Sequence, residues 1–250
     1  RSENFIVNGV DHHRISNELL HLEEAQFNDY FAKQRVKGIM PRGEFAEVCA
    51  QSIRADVLAF KEKIKDYSSP YSESVDFVVE TAQGNIRLFG YMEPLFGDEN
   101  QIIEWRFAKY KDRYRIRPWL YYLIQLATKE NAMPPRIIAK DKDLTLKTIE
   151  KSIALEKLKM YVEAYLQSQQ QIQLIPTENI AKFIEKDESA VNFDNVLTNI
   201  ESLAKTDPYG YRKADPYWAR VLWQTEQFKS QDGLLQLVKQ TTSWFGEMLS

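Results

Sequence analysis

The hydrophobic period changes twice along this chain, and that narrows the folds open to it. Phe45, Val48, Cys49, Ile53, Val57, Phe60 and Ile64 recur every three to four positions, the spacing of one helix face. Pro41 suits the first turn of that helix. Past residue 70 the pattern becomes strand-like. Val75 to Glu80 is β-rich, Asn85 to Glu93 alternates, and Gln101 to Phe107 makes a third strand, with turns at Gly84-Asn85 and Gly97-Asp98. Pro118 then opens a very apolar helix to about Lys129, and Arg136 to Lys140 reads as a short strand. Helix, three-strand meander, helix, strand predicts an α/β fold.

Three regions follow from the same reading. Residues 1–40 form a lead-in, with a strand-like Asn4 to Val10 and a polar helix from about Ile15 to Arg35. Residues 41–175 are the α/β core, including an apolar-striped helix over Ile149 to Leu166 and an edge strand at Ile172 to Ile175. Residues 176–250 are a helical extension packed on that core. Its helices lie near Glu178 to Glu185, Ala190 to Ala204 and Leu234 to Leu249, with a polar loop at Thr206 to Pro216.

Composition excludes several classes. With 13 Phe, 13 Tyr and 5 Trp, the chain has ample apolar surface for a core, so it does not read as disordered. The single cysteine, Cys49, allows neither an internal disulfide nor a cysteine-built zinc site, and it fits a reducing, cytoplasmic setting. The densest apolar run, Trp119 to Leu126, falls far short of a membrane span of ~20 residues, so no membrane role is expected. The chain opens at Arg1 without a methionine, which we read as a piece of a longer or processed protein.

Phosphate-cradling G-x-x-x-x-G-K-[ST], nucleophile-elbow G-x-S-x-G and metalloprotease H-E-x-x-H are all missing, so ATP chemistry is not expected from this chain. His12, His13 and His21 sit in a polar stretch that no cysteine or carboxylate completes into a metal site, and no metal is expected there. Glu93 ends the second strand and Glu104 lies within the third, with Arg106 two residues on and therefore on the same strand face. Two such carboxylates beside a cation can hold Mg²⁺ for phosphodiester hydrolysis. They can equally form a cross-strand ion pair on a solvated sheet.

Arg106 to Trp119 concentrates charge. Arg106, Lys109, Lys111, Arg113, Arg115 and Arg117 face one acid, Asp112, so the stretch carries +5 while the remainder carries −8 of the net −3. Phe107, Tyr110, Tyr114 and Trp119 are interleaved. From Lys109 to Arg117 every second residue is basic, so an extended conformation would put five cations on one side. Such a strip can neutralise phosphates while its rings stack bases; a solvated basic face is the other reading. The aromatic block Tyr217, Trp218, Trp223, Trp244 and Phe245 has the spacing of core residues. Trp244 and Phe245 are also candidates for partner docking.

Several stretches, in order, resemble the RecC family, the gamma subunits of exodeoxyribonuclease V (RecBCD), at its C-terminal domain. They are NFIVNGVDHHRISNELL from Asn4, MPRGEFAEV from Met40, IRLFGYMEPL through IIEWR up to Arg106, ALEKLKMYVEAYLQ with QLIP, and YWARVLWQ from Tyr217. That resemblance implies a restriction-endonuclease-like core. Active nucleases of the RecB type carry Gly-x-x-x-His on the first helix, an Asp after a Gly on strand two, and Asp/Glu-x-Lys on strand three. The matching positions here are Gly43 with Glu47, Gly90 with Glu93, and Glu104 with Arg106. Arginine cannot exchange a proton as lysine does, and Glu reaches one methylene further than Asp, which alters metal geometry. The resemblance therefore implies a domain without catalysis of its own, with Glu47, Glu93, Glu104 and Arg106 vestigial. It also implies RecB and RecD as partners supplying the Mg²⁺ and ATP chemistry, and DNA ends, duplex and separated strands, as ligand. An active Mg²⁺-dependent DNA exonuclease using Glu93 and Glu104 is the alternative.

Overall fold

The computed structural model describes residues 7–67, 69–98, 100–170, 175–177, 179–185, 187–205, 218 and 230–249. The expected strand at Ile172 to Ile175 and the loop at Thr206 to Pro216 fall on or within undescribed stretches, as do Tyr217 and Trp223. Over the described residues the chain is mixed α/β, as expected.

The lead-in is helical. α1 (Gly9–Leu20) is capped by Asn8, whose side chain accepts from the Asp11 amide at 2.8 Å, so Gly9 and Val10 are helix and not strand. The single polar helix expected over Ile15 to Arg35 is interrupted by a 3₁₀ turn at Glu24–Gln26 before α2 (Phe27–Val36). Ile15, Leu19, Phe27 and Phe31 are buried against α3 (Glu44–Ile64). In α3 the buried face runs through Ala46, Ala50, Ile53, Val57, Phe60 and Ile64, while Phe45 and Val48 are exposed. The stripe read from large residues alone was rotated at its start, because two alanines carry the contact surface there. Gly43, with φ +60°, turns the chain into the helix, which starts three residues after Pro41.

β1 (Tyr71–Thr81) and β2 (Gly84–Leu95) form an antiparallel hairpin. Its tip is tied to α5 (Lys151–Ser168), where the Ala82 amide donates to the Glu163 carboxylate at 3.0 Å. β3 (Gln101–Arg106) does not extend the hairpin into a meander. It pairs in parallel with β4 (Met133–Ala139) through the crossover helix α4 (Ile116–Thr128), and β4 pairs antiparallel with β5 (Asp143–Thr145). One bridge, Gly97 to Ile102, joins the two regions. Pro94 has no amide to donate at the end of β2, and Asp98 accepts the amides of Asn100 and Gln101 at 2.8 Å each, fixing a tight turn in place of a ladder.

Four apolar clusters lie under these elements among the described residues, the smallest being Met92, Leu95 and Ile102 where the hairpin meets β3. The first joins α1, α2 and α3 to Ile103, Phe107 and Ile138. The second packs Trp119, Tyr122 and Leu123 of α4 with Leu158 of α5 and with Phe245 and Met248 of the last helix. The third joins Phe183 and Trp218 to α6 (Phe193–Ala204) and α7 (Gln231–Leu249). Clusters thus run across residues 40 and 175, where the regions were divided. Over the described residues of the helix expected at Glu178 to Glu185 there is a 3₁₀ turn, Ile180–Phe183. No helix of the described residues is long and apolar enough to cross a membrane.

Candidate functional site

Glu104 occupies the middle of β3, opposite Ile137 of β4, and is buried to 3% exposure. A lone carboxylate there would be costly, and this one is doubly paired. Oε1 accepts from Arg106 Nε at 2.8 Å, across the i, i+2 spacing of one strand face. Oε2 accepts from Arg117 Nε at 3.1 Å and Nη2 at 2.6 Å, reaching over from the first turn of α4. Two guanidiniums therefore occupy the positions from which a divalent cation would be bound.

The other positions do not join it. Glu47, on the exposed side of α3, pairs with Arg35 of α2 at 2.6 Å. Glu93 is exposed on β2 beside Pro70, Tyr71 and Ser72. Among the described residues, no group of three or more His, Cys, Asp or Glu side chains is placed to hold a metal ion. The donor set does not fit Mg²⁺, because its one buried carboxylate already has its charge compensated. His13 is engaged locally: the Asn17 amide nitrogen lies 2.8 Å from its Nδ1.

The basic stretch is not an extended strip. After Lys111 the chain turns through a 3₁₀ segment, Asp112–Arg115, directly into α4, which disperses the alternating cations. Arg106 and Arg117 hold Glu104. Arg115 donates from Nε to the Tyr110 hydroxyl and from Nη1 to the Met248 carbonyl at 3.0 Å, placing a cation at the C-terminal turn of α7. Lys109, Lys111 and Arg113 remain exposed. Burial pushes the Tyr110 phenol up to about 12, despite Arg115, so it stays protonated and donates to Asp112 at 3.0 Å.

Tertiary structure adds cations that linear charge counting missed. The Tyr110 amide donates to the Asp141 carboxylate at 2.7 Å, and the Lys140 amide donates to the Ala108 carbonyl at 3.0 Å. The β4–β5 turn is thereby fastened beside the basic loop, bringing Lys140 and Lys142 to it. In sequence, Asp141 and Asp143 mask these lysines; only the parallel pairing of β3 with β4 joins the two loops. Trp244 and Phe245 lie within the chain's own packing. Phe245 is buried among Trp119 and Tyr161, and Trp244 packs edge-on against Tyr161 at 5.8 Å. The C-terminal end of α7 packs Phe245 and Met248 against α4 and α5, while Leu234, Leu237 and Val238 nearer its start pack with α6; Phe245 is thus core, and Trp244 is only half-buried.

The family described as RecC C-terminal domain matches residues 1–188. The RecBCD enzyme subunit RecC of Haemophilus influenzae is 50% identical over 250 residues, an alignment covering 98% of this chain. It covers 22% of that relative, so the chain spans about a fifth of the length of the curated protein it matches.

Proposed function

This chain belongs to the RecC C-terminal domain family, and from that premise we propose that it is a noncatalytic, nuclease-like domain of a RecBCD-type enzyme. It helps hold the RecB and RecD motor subunits and handles DNA at broken ends in recombinational repair, in the bacterial cytoplasm. Catalysis and ATP hydrolysis belong to the partner subunits. The observation carrying this reading is the closed Glu104 site, where Arg106 and Arg117 take up both carboxylate oxygens. A nuclease of this type needs that carboxylate open to a metal ion.

DNA contact rests on Lys109, Lys111 and Arg113, exposed members of the basic stretch that the Glu104 site does not use. Arg106, Arg115 and Arg117 reinforce the local potential while serving the fold. The test is incubation of the purified chain with labelled duplex and single strands in Mg²⁺ or Mn²⁺. We expect no cleavage. Cleavage that disappears in Glu104→Ala overturns the reading in favour of a DNA exonuclease.

A further inference from the structure

The turn between β4 and β5 carries an exposed lysine whose neighbours are committed elsewhere. Asp141 accepts the Tyr110 amide, and Asp143 holds Arg136 through two bonds, one of them 2.8 Å from Arg136 Nε. Lys140 is neutralised by Asp56 at 2.8 Å. Lys142 has no carboxylate partner among the described residues, and its Nζ sits 4.4 Å from the centre of the Tyr110 ring. The same ring has the Arg115 guanidinium at 5.6 Å. Tyr114 repeats the arrangement, with Arg106 and Arg113 each 5.8 Å from its centre.

Two consequences follow. A cation over an aromatic ring is held in place yet keeps its outward donors for a ligand. A nucleobase seeking the same ring must displace a cation that is itself attracted to phosphate, and the Tyr110 ring is further fixed by its hydroxyl, held between Arg115 and Asp112. Aromatics so arranged seat charges; they do not offer an open stacking surface.

We propose that two loops, residues 109–113 and 140–142, form one platform that binds the nucleic-acid phosphate backbone, with Lys142 a phosphate ligand alongside Lys109, Lys111 and Arg113, and with Tyr110 and Tyr114 positioning cations in place of stacking bases. The proposal deepens the DNA-handling reading and rests on it. Its ligand is a phosphodiester backbone without regard to base identity.

The experiment uses the full-length protein assembled with its partner subunits. Affinity is measured against salt concentration for a DNA single strand, a duplex, and an abasic strand of the same phosphate number. Lys142→Gln is expected to lower the slope of log affinity against log salt by about 0.7 on the single strand and about 0.9 on the duplex, the value of one phosphate contact. Lys111→Gln is expected to do the same, and both losses persist on the abasic strand. An unchanged slope for Lys142→Gln beside a lowered one for Lys111→Gln overturns the platform while leaving DNA contact intact. If both slopes are unchanged, the DNA-handling assignment of this surface fails as well. Unchanged slopes with impaired subunit assembly overturn both in favour of an acidic protein surface. A Tyr114→Leu variant that loses more affinity for the base-bearing strand than for the abasic one overturns the seating role of the tyrosines.

Discussion

Replacing Glu104 by glutamine removes a charge from a buried carboxylate that ties the sheet to α4. Breaking a buried ion pair by deleting one partner costs about 3–5 kcal/mol when the survivor stays buried. Here the survivors are half-open: Arg106 is 50% exposed and Arg117 38%, so both rehydrate once released. Glutamine also keeps the volume and one acceptor, but it turns an amide N–H₂ toward a guanidinium. We therefore expect a loss of about 2–3 kcal/mol, below the fully buried range and above the ~0–1 kcal/mol of exposed pairs. The assay is urea unfolding of the chain at neutral pH, followed by tryptophan fluorescence. With an m-value of about 3 kcal/mol per molar, the midpoint falls by about 0.7–1 M with its slope unchanged. Geometry also ranks the partners. Arg117 makes two bonds to Glu104 and Arg106 makes one, so a double-mutant cycle gives the larger coupling with Arg117. A midpoint shift under about 0.2 M, or a coupling with Arg106 that equals or exceeds that with Arg117, refutes the reasoning.

Three further outcomes follow from the same structure. Gly97→Ala places a Cβ 2.2 Å from the Gln101 carbonyl oxygen at φ +105°, so the turn must open; the loss in the same urea assay exceeds about 3 kcal/mol, and a near-neutral variant would show the turn to be otherwise. Phe245→Ala empties a space between α4, α5 and α7, costing about 3–5 kcal/mol, with a lowered thermal midpoint as the readout. Hydrogen bonding from Arg136 holds the Asp143 carboxyl below its usual value, so its small stabilisation is complete above about pH 4 and is lost as pH falls through the depressed folded pKa; Asp143→Asn accordingly lowers the neutral plateau of a stability–pH curve by that small amount, leaves the acid end nearly unshifted and flattens the limb between them.

Periodicity carried the helices well where large residues did the packing, as at Ile53, Val57 and Phe60. It misread the buried face at the start of α3 because Ala46 and Ala50 pack closely yet give little hydrophobic signal. It also assigned the strand partners by order in sequence. β3 takes β4 while Pro94 and the Asp98 turn keep β2 from laddering onto β3, and β5 is too short to show any period. Glu104 and Arg106 were legible as a pair from their i, i+2 spacing. Arg117 was not, since its reach back to Glu104 depends on where α4 starts. Alternating charge from Lys109 to Arg117 suggested a strip only on the assumption of extended backbone, which the 3₁₀ turn removes. Lys142 was hidden by the two aspartates beside it.

The second apolar cluster has a timing consequence for synthesis. Trp119 and Tyr122 emerge from the ribosome well before Phe245 and Met248, which complete their packing. At about 5–20 residues per second, the apolar face of α4 waits on the order of ten seconds for that last layer. Through that interval the nascent chain presents aromatic surface to solvent, so slowed elongation downstream of α4 raises the demand for a chaperone without altering any contact of the finished fold.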